Sequence, residues 1–447
     1  MMKLDHLTAV VTDVDEATRA VVRLLGGEVV RTTVAGMRIH TLRLGDAELH
    51  LNEPIAPGPL QEFQRQHGPG LHHLALRVDA LEETLVDLAR SGIVARGEPV
   101  RVAAGVREVF LDPSTVGGLW IQLVERDERA HAVVAALDDA EVARVAASGP
   151  AGGVLPLAQG EREHHVDAGA LGALRIVETP PAAKGLDAAT RHAVVLLPGP
   201  IATAGFFHIG VAGYHAAERL AQRGHRVFAV DLPGTGGSDR PADGRSLRFA
   251  SQVEAIATAL RRLCAQRGVE TVDVVGESFG GAIASQLAVD GSFVRSCVMV
   301  SVLYRTPSPQ AHDTFLHPGW RAMLEATPDG YLDVGPELLA GILGRSPEAV
   351  RRWVLEHEAG RYAVAPLLGI FDLPYFDPSK ARARGLVVHG QLEPSQPVED
   401  ARALAASYGA NGAAFVELEG AGHIPRIEDE RARERFWKVV LDFIDAG

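Results

Sequence analysis

Three side chains far apart in the chain have the types and the order needed for nucleophilic acyl transfer. Ser278 stands in Gly276-Glu277-Ser278-Phe279-Gly280, a G-x-S-x-G pattern. An apolar run, 272–275, precedes it, and small residues from Gly280 to Ala284 follow it. That context predicts a strand, a sharp turn exposing the hydroxyl, and a helix whose N-terminal N–H groups face any oxyanion formed beside Ser278. His423 lies in Gly420-Ala421-Gly422-His423-Ile424-Pro425, a glycine-rich loop between the last predicted strand and the terminal helix. Glu393, in His389-Gly390-Gln391-Leu392-Glu393-Pro394, follows the strand before that one. A hydroxyl nucleophile needs a base, and the base needs a carboxylate to fix its tautomer. Ser278 is therefore read as nucleophile, His423 as base and then acid, and Glu393 as the orienting carboxylate. Asp231 is expected to hold a turn, and Glu399 and Asp400 to lie on the next helix.

A second set of polar residues comes from an internal repeat over 3–125. Leu4-Asp5-His6-Leu7 opens the first copy and Leu71-His72-His73-Leu74 the second. Each copy reads β-α-β-β-β, with helices near 14–25 and 80–90. The strands after the first helix fall near 28–34, 37–44 and 47–52, and those after the second near 93–97, 106–111 and 118–124. His6 and His73 occupy equivalent places in the opening strands, and His50 and Gln122 in the closing strands. Alternation turns each away from its apolar neighbours, toward the inside of a curved sheet if the two copies pair. Four nitrogen or oxygen donors converging there suit a divalent transition metal, Zn, Fe, Co, Ni or Mn. His72 is expected to face the other way.

The elements that must position Ser278, Glu393 and His423 alternate. An opening hairpin, 162–167 and 172–178, leads into strands at 192–197, 226–230, 272–275, 294–301, 385–389 and 413–417. Helices are predicted near 210–223, 247–267, 279–289, 398–408 and 430–445. Buried strands joined by helical crossovers mean a parallel sheet covered on both faces, with ligands at the strand C-terminal ends. Residues 302–380 interrupt this pattern with aromatics such as Tyr304, Phe315, Trp353 and Tyr375, and with helices near 318–326, 336–343 and 347–359. They read as a cap. The fold class is α/β and α+β, with a metal-binding module at 1–126, a helical linker at 127–160 and the capped sheet at 161–447.

The motifs around Ser278, Glu393 and His423, with Asp231-Leu232-Pro233-Gly234-Thr235-Gly236-Gly237-Ser238, resemble the α/β-hydrolase superfamily across roughly 162–447. The resemblance implies an oxyanion hole made by the N–H of Phe279 and by a loop N–H after the first central strand. Many relatives have His-Gly-x there. Here x is Pro200, which has no N–H, so either the N–H of Ile201 takes over as second donor or the hole is weaker. Leu4-Asp5-His6-Leu7, Leu51-Asn52-Glu53-Pro54, Gly70-Leu71-His72-His73 and Gly117 to Leu123 resemble the vicinal oxygen chelate (glyoxalase-like) superfamily, most closely its methylmalonyl-CoA epimerase branch. That family places metal ligands at His6, His50, His73 and Gln122. The last is usually glutamate, and Val34 stands where the epimerase branch tends to carry a glutamate base. Racemisation needs a base on each face of the acidic carbon, and at least one is missing.

Composition narrows the partners. The net charge of −13 argues against nucleic acid or an anionic membrane surface. Two cysteines, Cys264 and Cys297, make no disulfide framework and fit a reducing cytosol. No apolar run reaches membrane-spanning length, and the N-terminus lacks a signal-peptide core. The expectation is a cytoplasmic enzyme on a small-molecule ester, thioester or C–C bond next to a ketone. Its hydrolase unit takes no cofactor, and a homodimer is left open. Two alternatives stand beside it: an N-terminal module that only binds or dimerises, and a hydrolase fold turned to non-hydrolytic chemistry by Pro200.

Overall fold

The computed structural model describes residues 2–25, 29–34, 37–44, 47–55, 59–97, 99–103, 106–126, 157–158, 160–182, 192–309, 311, 316, 318–334, 339 and 343–446. Nearly all of the helical linker expected over 127–160, Phe315, and most of the helix expected near 336–343 lie outside them. The chain divides into two units, one up to Asp139 and one from Ala140.

In the first unit the strands are β1 (Lys3–Val10), β2 (Val29–Val34), β3 (Met37–Leu44), β4 (Ala47–Pro54), β5 (Gly70–Val78), β6 (Val100–Ala103), β7 (Val106–Phe110) and β8 (Ile121–Arg126). Helices α1 (Val14–Leu25) and α3 (Leu81–Arg90) follow the opening strands, and α2 (Pro59–His67) joins the copies. All eight strands form one sheet of order β2-β3-β4-β1-β5-β8-β7-β6. Read outward from the β1–β5 seam, the two halves mirror each other. β1 and β5 pair antiparallel, and each pairs parallel with the closing strand of its own copy. One face carries the apolar contacts to the helices. Val14 packs with Leu42 and Leu51 in one half, and Leu81 with Val78, Val109 and Leu123 in the other. Two local readings differ. The strand expected near 93–97 is only a bridge from Ala95 to Leu111. Regular pairing starts at Val100, after Gly97 turns the chain at φ 106°. Helix α2 was not expected.

The second unit opens with the hairpin β9 (Arg162–Asp167) and β10 (Ala173–Thr179). It continues β11 (His192–Leu197), α4 (Ala216–Gln222), β12 (Arg226–Val230), α5 (Phe249–Arg267), β13 (Thr271–Glu277), α6 (Phe279–Leu287) and β14 (Val294–Val300). An insertion carries α7 (Pro318–Glu325), β15 (Tyr331–Val334), α8 (Glu348–Glu358) and β16 (Gly360–Ala363). The chain then returns through β17 (Arg384–Gly390), α9 (Val398–Ser407), β18 (Ala414–Leu418) and α10 (Glu430–Asp445). The sheet order is β18-β17-β14-β13-β11-β12-β10-β9, parallel from β12 to β18. Alternation along β11 shows why both faces are apolar. Ala193, Val195 and Leu197 enter the layer with α5, α6 and α9, while Val194 and Leu196 enter the layer with α4 and α10. Each buried Val or Leu among them contributes about 1.5–3 kcal/mol. Helix α4 is shorter than expected because Gly213 takes φ 83° and the His215 ring caps the helix, accepting from the Glu218 N–H at 3.0 Å. The two-stranded β15–β16 sheet was also unforeseen.

β13 and α6 meet with almost no space between them. A Cβ on Gly276 would run into the Gly280 carbonyl, and one on Gly280 into the Leu197 and Pro198 carbonyls. These obstacles are backbone and cannot swing aside. Gly280→Ala is expected to lower stability by about 1–3 kcal/mol, read as a lower urea midpoint at unchanged m-value.

Candidate active site

β13 delivers the chain to Ser278 at φ 52° and ψ −119°. A non-glycine residue in that region stores about 1–3 kcal/mol of strain, so the surroundings must hold it. The Ser278 N–H donates to the Val300 carbonyl at 2.8 Å, and its own carbonyl accepts from the Gly281 N–H at 3.0 Å. The residue itself is only half-buried. Phe279 follows as the first residue of α6, where a backbone N–H has no partner within the helix.

Glu393 and His423 follow β17 and β18, at the same C-terminal edge of the sheet as Ser278. His423 Nδ1 donates to Glu393 Oε2 at 2.6 Å, and the Ser395 N–H donates to Glu393 Oε1 at 2.8 Å. The Glu393 side chain is 0% exposed and that of His423 20%, so the acid is sealed while the imidazole stays reachable. Burial opposes both charges, yet the pair overcomes it. Glu393 is held below the usual carboxylate range by the charge and hydrogen bond of His423. His423 is raised above its ordinary value by Glu393, with Glu277 and Glu428 adding to the effect. Among the described residues Ser278 Oγ makes no hydrogen bond to His423. Such contacts often form only once substrate is bound.

Two residues that sequence reasoning missed tie these loops together. Arg426 Nε and Nη2 donate to Glu277 Oε1 and Oε2 at 2.6 and 2.8 Å, a two-pronged pair with both side chains 2% exposed. Glu277 immediately precedes Ser278, and Arg426 lies three residues after His423. A third donor, Arg426 Nη1, reaches the Phe206 carbonyl at 2.9 Å, and the guanidinium lies over the rings of Phe206 and Phe207. The His423 loop is also braced within itself. The Gly422 N–H donates to the Glu428 carboxylate at 2.9 Å, which Arg345 of the insertion meets at 3.1 Å.

The loop after β11 lies beside Ser278. A Cβ added to Gly199 would sit 3.7 Å from Ser278 Cβ. Pro200 and Ile201 follow, both half-exposed. Beyond them, the Thr203 N–H and hydroxyl donate to Glu358 at 2.7 and 2.9 Å, and the Ala204 N–H donates to Asp231 at 2.6 Å. Asp231 also accepts from the Gly237 N–H at 2.8 Å, the turn-holding role expected of it. Asp400 lies on α9 and accepts from the N–H groups of Tyr304, Arg305 and Thr306, each at 2.9 Å. The Phe279 ring belongs to an aromatic cluster with Phe249 and Tyr375. A groove of about 590 Å³ opens beside that cluster, lined by Phe249, Tyr304, Arg305, Tyr375 and Phe376 among others, and not by Ser278, Glu393 or His423.

In the first unit the four repeat-selected residues fall on β1, β4, β5 and β8, and three of them meet directly. The rings of His6 and His50 stack with centroids 4.3 Å apart, and His6 Nε2 lies 3.4 Å from His73 Nε2. Asp5 meets His6 Nδ1 at 2.8 Å and is itself paired with Arg77. Gln122 is 3% exposed, and its Oε1 is buried without a hydrogen-bond partner. Burial, followed by the neighbouring His6, His72 and His50, pushes His73 down to about 3 and keeps it neutral. Among the described residues no three His, Cys, Asp or Glu side chains form a group able to hold a metal ion. Glu48, two residues before His50 on the same strand, meets His50 Nε2 at 3.0 Å and was not singled out beforehand. His72 packs against Phe63 and Trp120, with its Nδ1 2.7 Å from His73 Nδ1.

The Glu277–Arg426 pair makes a stability prediction. Arg426→Ala strands a buried carboxylate and is expected to cost about 3–5 kcal/mol. A Glu277→Gln/Arg426→Met double variant is expected to recover much of that loss. Urea denaturation of the two proteins checks the ordering.

Comparison with known proteins agrees with both halves. Residues 5–110 match a family model described as the glyoxalase/bleomycin resistance protein/dioxygenase superfamily, and residues 194–437 match the alpha/beta hydrolase family. The human mitochondrial methylmalonyl-CoA epimerase is 28% identical over 127 residues, which cover 27% of this chain and 72% of that protein. Among solved structures, a methylmalonyl-CoA epimerase from Mycobacterium tuberculosis is 29% identical with TM-score 0.27, covering 29% of this chain and 91% of that one. An esterase from Exiguobacterium antarcticum is 19% identical with TM-score 0.47, covering 64% of this chain and all of that one. No described helix is long and apolar enough to cross a membrane. Since the hydrolase match spans more than half of the sequence, the chain belongs to the alpha/beta hydrolase family, with a glyoxalase-type domain at its N-terminus.

Proposed function

We propose that the second unit is a serine hydrolase acting on a small-molecule ester, thioester or C–C bond next to a ketone. The observation that carries this reading is the sealed Glu393–His423 bond on the sheet edge where Ser278 sits in its strained turn. Ser278 Oγ attacks the carbonyl carbon while His423 Nε2 takes its proton. The oxyanion that forms receives the N–H groups of Phe279 and Ile201. Collapse expels the leaving group, which takes the proton from His423, and water repeats the sequence on the acyl-enzyme. Glu393 keeps Nδ1 protonated and stabilises the imidazolium. Pro200 removes one customary donor, so Ile201 has to supply it.

The N-terminal unit is proposed to take a divalent transition metal through His6, His50, His73 and Gln122, although their side chains are not arranged around a common point as they stand. The buried Gln122 side chain facing His73, the neutral His73 and the carboxylate behind His6 support this donor set. A bound ion would supply Lewis-acid polarisation of a substrate carbonyl. Its substrate is proposed to be the same metabolite as that of the hydrolase or a linked one.

Ser278→Ala is expected to lose about 10⁶-fold in kcat and all labelling by a fluorophosphonate probe. An unlabelled wild type would overturn the hydrolase reading. His423 works as a base only when neutral, so kcat falls as pH drops through a value lifted above the ordinary 6.5. Removing the Glu393 charge lowers that value. Glu393→Gln should therefore move the acid limb to lower pH while cutting kcat by roughly 10³–10⁴. Elemental analysis of the purified chain should find about one divalent metal per chain, lost in His73→Ala. A metal-free wild type would favour a binding or dimerisation module instead.

A further inference from the structure

We propose that Glu358, the last residue of α8, is a positioning residue for the oxyanion loop, through which the cap helps aim the Ile201 N–H beside Ser278. This inference rests on the hydrolase reading above. The loop has an unusual task. With Pro200 in the customary donor place, the useful N–H moves one residue along, and the backbone at 201 must be held from its far side. That side is clamped at two successive residues. Asp231, from the end of β12, holds the Ala204 N–H, and Glu358 holds both donors of Thr203. Residue 358 lies 155 positions from the residue it grips.

The chemistry of the clamp is specific. Glu358 is 1% exposed, and among the described residues no Lys or Arg pairs with its carboxylate. A buried carboxylate without a cation is costly, and packing alone would be served as well by an apolar side chain. What Glu358 has instead is a pair of donors, the Thr203 N–H and the Thr203 hydroxyl, while the Tyr362 hydroxyl from β16 gives its proton to the Glu358 carbonyl at 2.7 Å. The other charge facing it is Asp231, which is itself met by Arg175 at 3.2 Å. Burial lifts Glu358 to about 7, against the two Thr203 hydrogen bonds and with the Asp231 charge adding to the rise. Above that pH both carboxylate oxygens accept from Thr203. Below it one oxygen carries a proton, the two Thr203 hydrogen bonds lose the charge that strengthens them, and the loop relaxes. Full activity then requires two groups to be unprotonated, His423 and Glu358.

The test uses the full chain, p-nitrophenyl butyrate as substrate and a fluorophosphonate probe. Wild-type turnover with labelling of Ser278 is the control on the hydrolase reading, and its failure would overturn that reading and this inference together. With the control met, Glu358→Gln is expected to cut kcat by about 10- to 100-fold at pH 8 with KM within about twofold. The acid limb of log kcat should approach a slope of two in wild type and one in Glu358→Gln. A purely structural role would not move that slope. Wild-type kcat and an unchanged slope in a folded Glu358→Gln protein would overturn the inference alone. If circular dichroism shows that variant unfolded, Thr203→Val decides. It keeps the carboxylate but removes the hydroxyl that donates to Glu358 and accepts from the Gly205 N–H, so a lower kcat at constant KM with an acid-limb slope below the wild-type value supports the clamp, while an unchanged kcat refutes it.

Discussion

The second unit depends on a buried ion pair sealed behind the loops it joins. Ser278, Glu393 and His423 arrive on three loops from three strands, and a parallel sheet fixes only where those loops begin. Glu277 and Arg426 fix how two of them meet. The pair can sit in an apolar surrounding because the guanidinium fork satisfies both carboxylate oxygens and spends a further N–H on the Phe206 carbonyl. The hydrogen bonds run in directions that a packed aliphatic pair could not enforce. The elbow, the histidine loop and the segment around Phe206 are thereby braced against one another.

The same principle recurs around that edge. Asp231, Glu358, Glu428 and Asp400 each receive backbone N–H groups from a loop, and each is buried. Loops lack the repeating partners of a helix or strand, so their N–H groups must find acceptors elsewhere. Carboxylates from neighbouring elements fill that need. The arrangement also raises Asp231, Glu358 and Glu428 above their ordinary values, chiefly through burial. Glu393 moves the other way because a histidine answers its charge.

What the sequence made legible follows from this. Ser278, Glu393 and His423 stood out because each sits just past a predicted strand, in the order that fold requires. His6, His50, His73 and Gln122 stood out because a repeat selects them in pairs. The element order was readable from alternation and period, since β11 and its neighbours are apolar on both faces. Glu277, Arg426 and Glu358 could not be read. Their partners lie about 150 positions away, and a charged residue gives no local sign that it will be buried. Glu48 was closer to view, two residues before His50 on the same face of β4, and alternation alone would have found it. The strand misplaced to 93–97 shows the limit of apolar runs: Gly97 delays the pairing by several residues.

The mirrored order of the first sheet has a consequence for what can lie across its seam. Were the halves separate identical chains meeting about a twofold axis, every group on one side of the seam would be duplicated on the other. Here both halves belong to one polypeptide, so equivalent places can diverge. They already have, with His50 on one side and Gln122 on the other. A molecule lying across the seam meets two unlike walls, so its two ends can differ in charge and polarity.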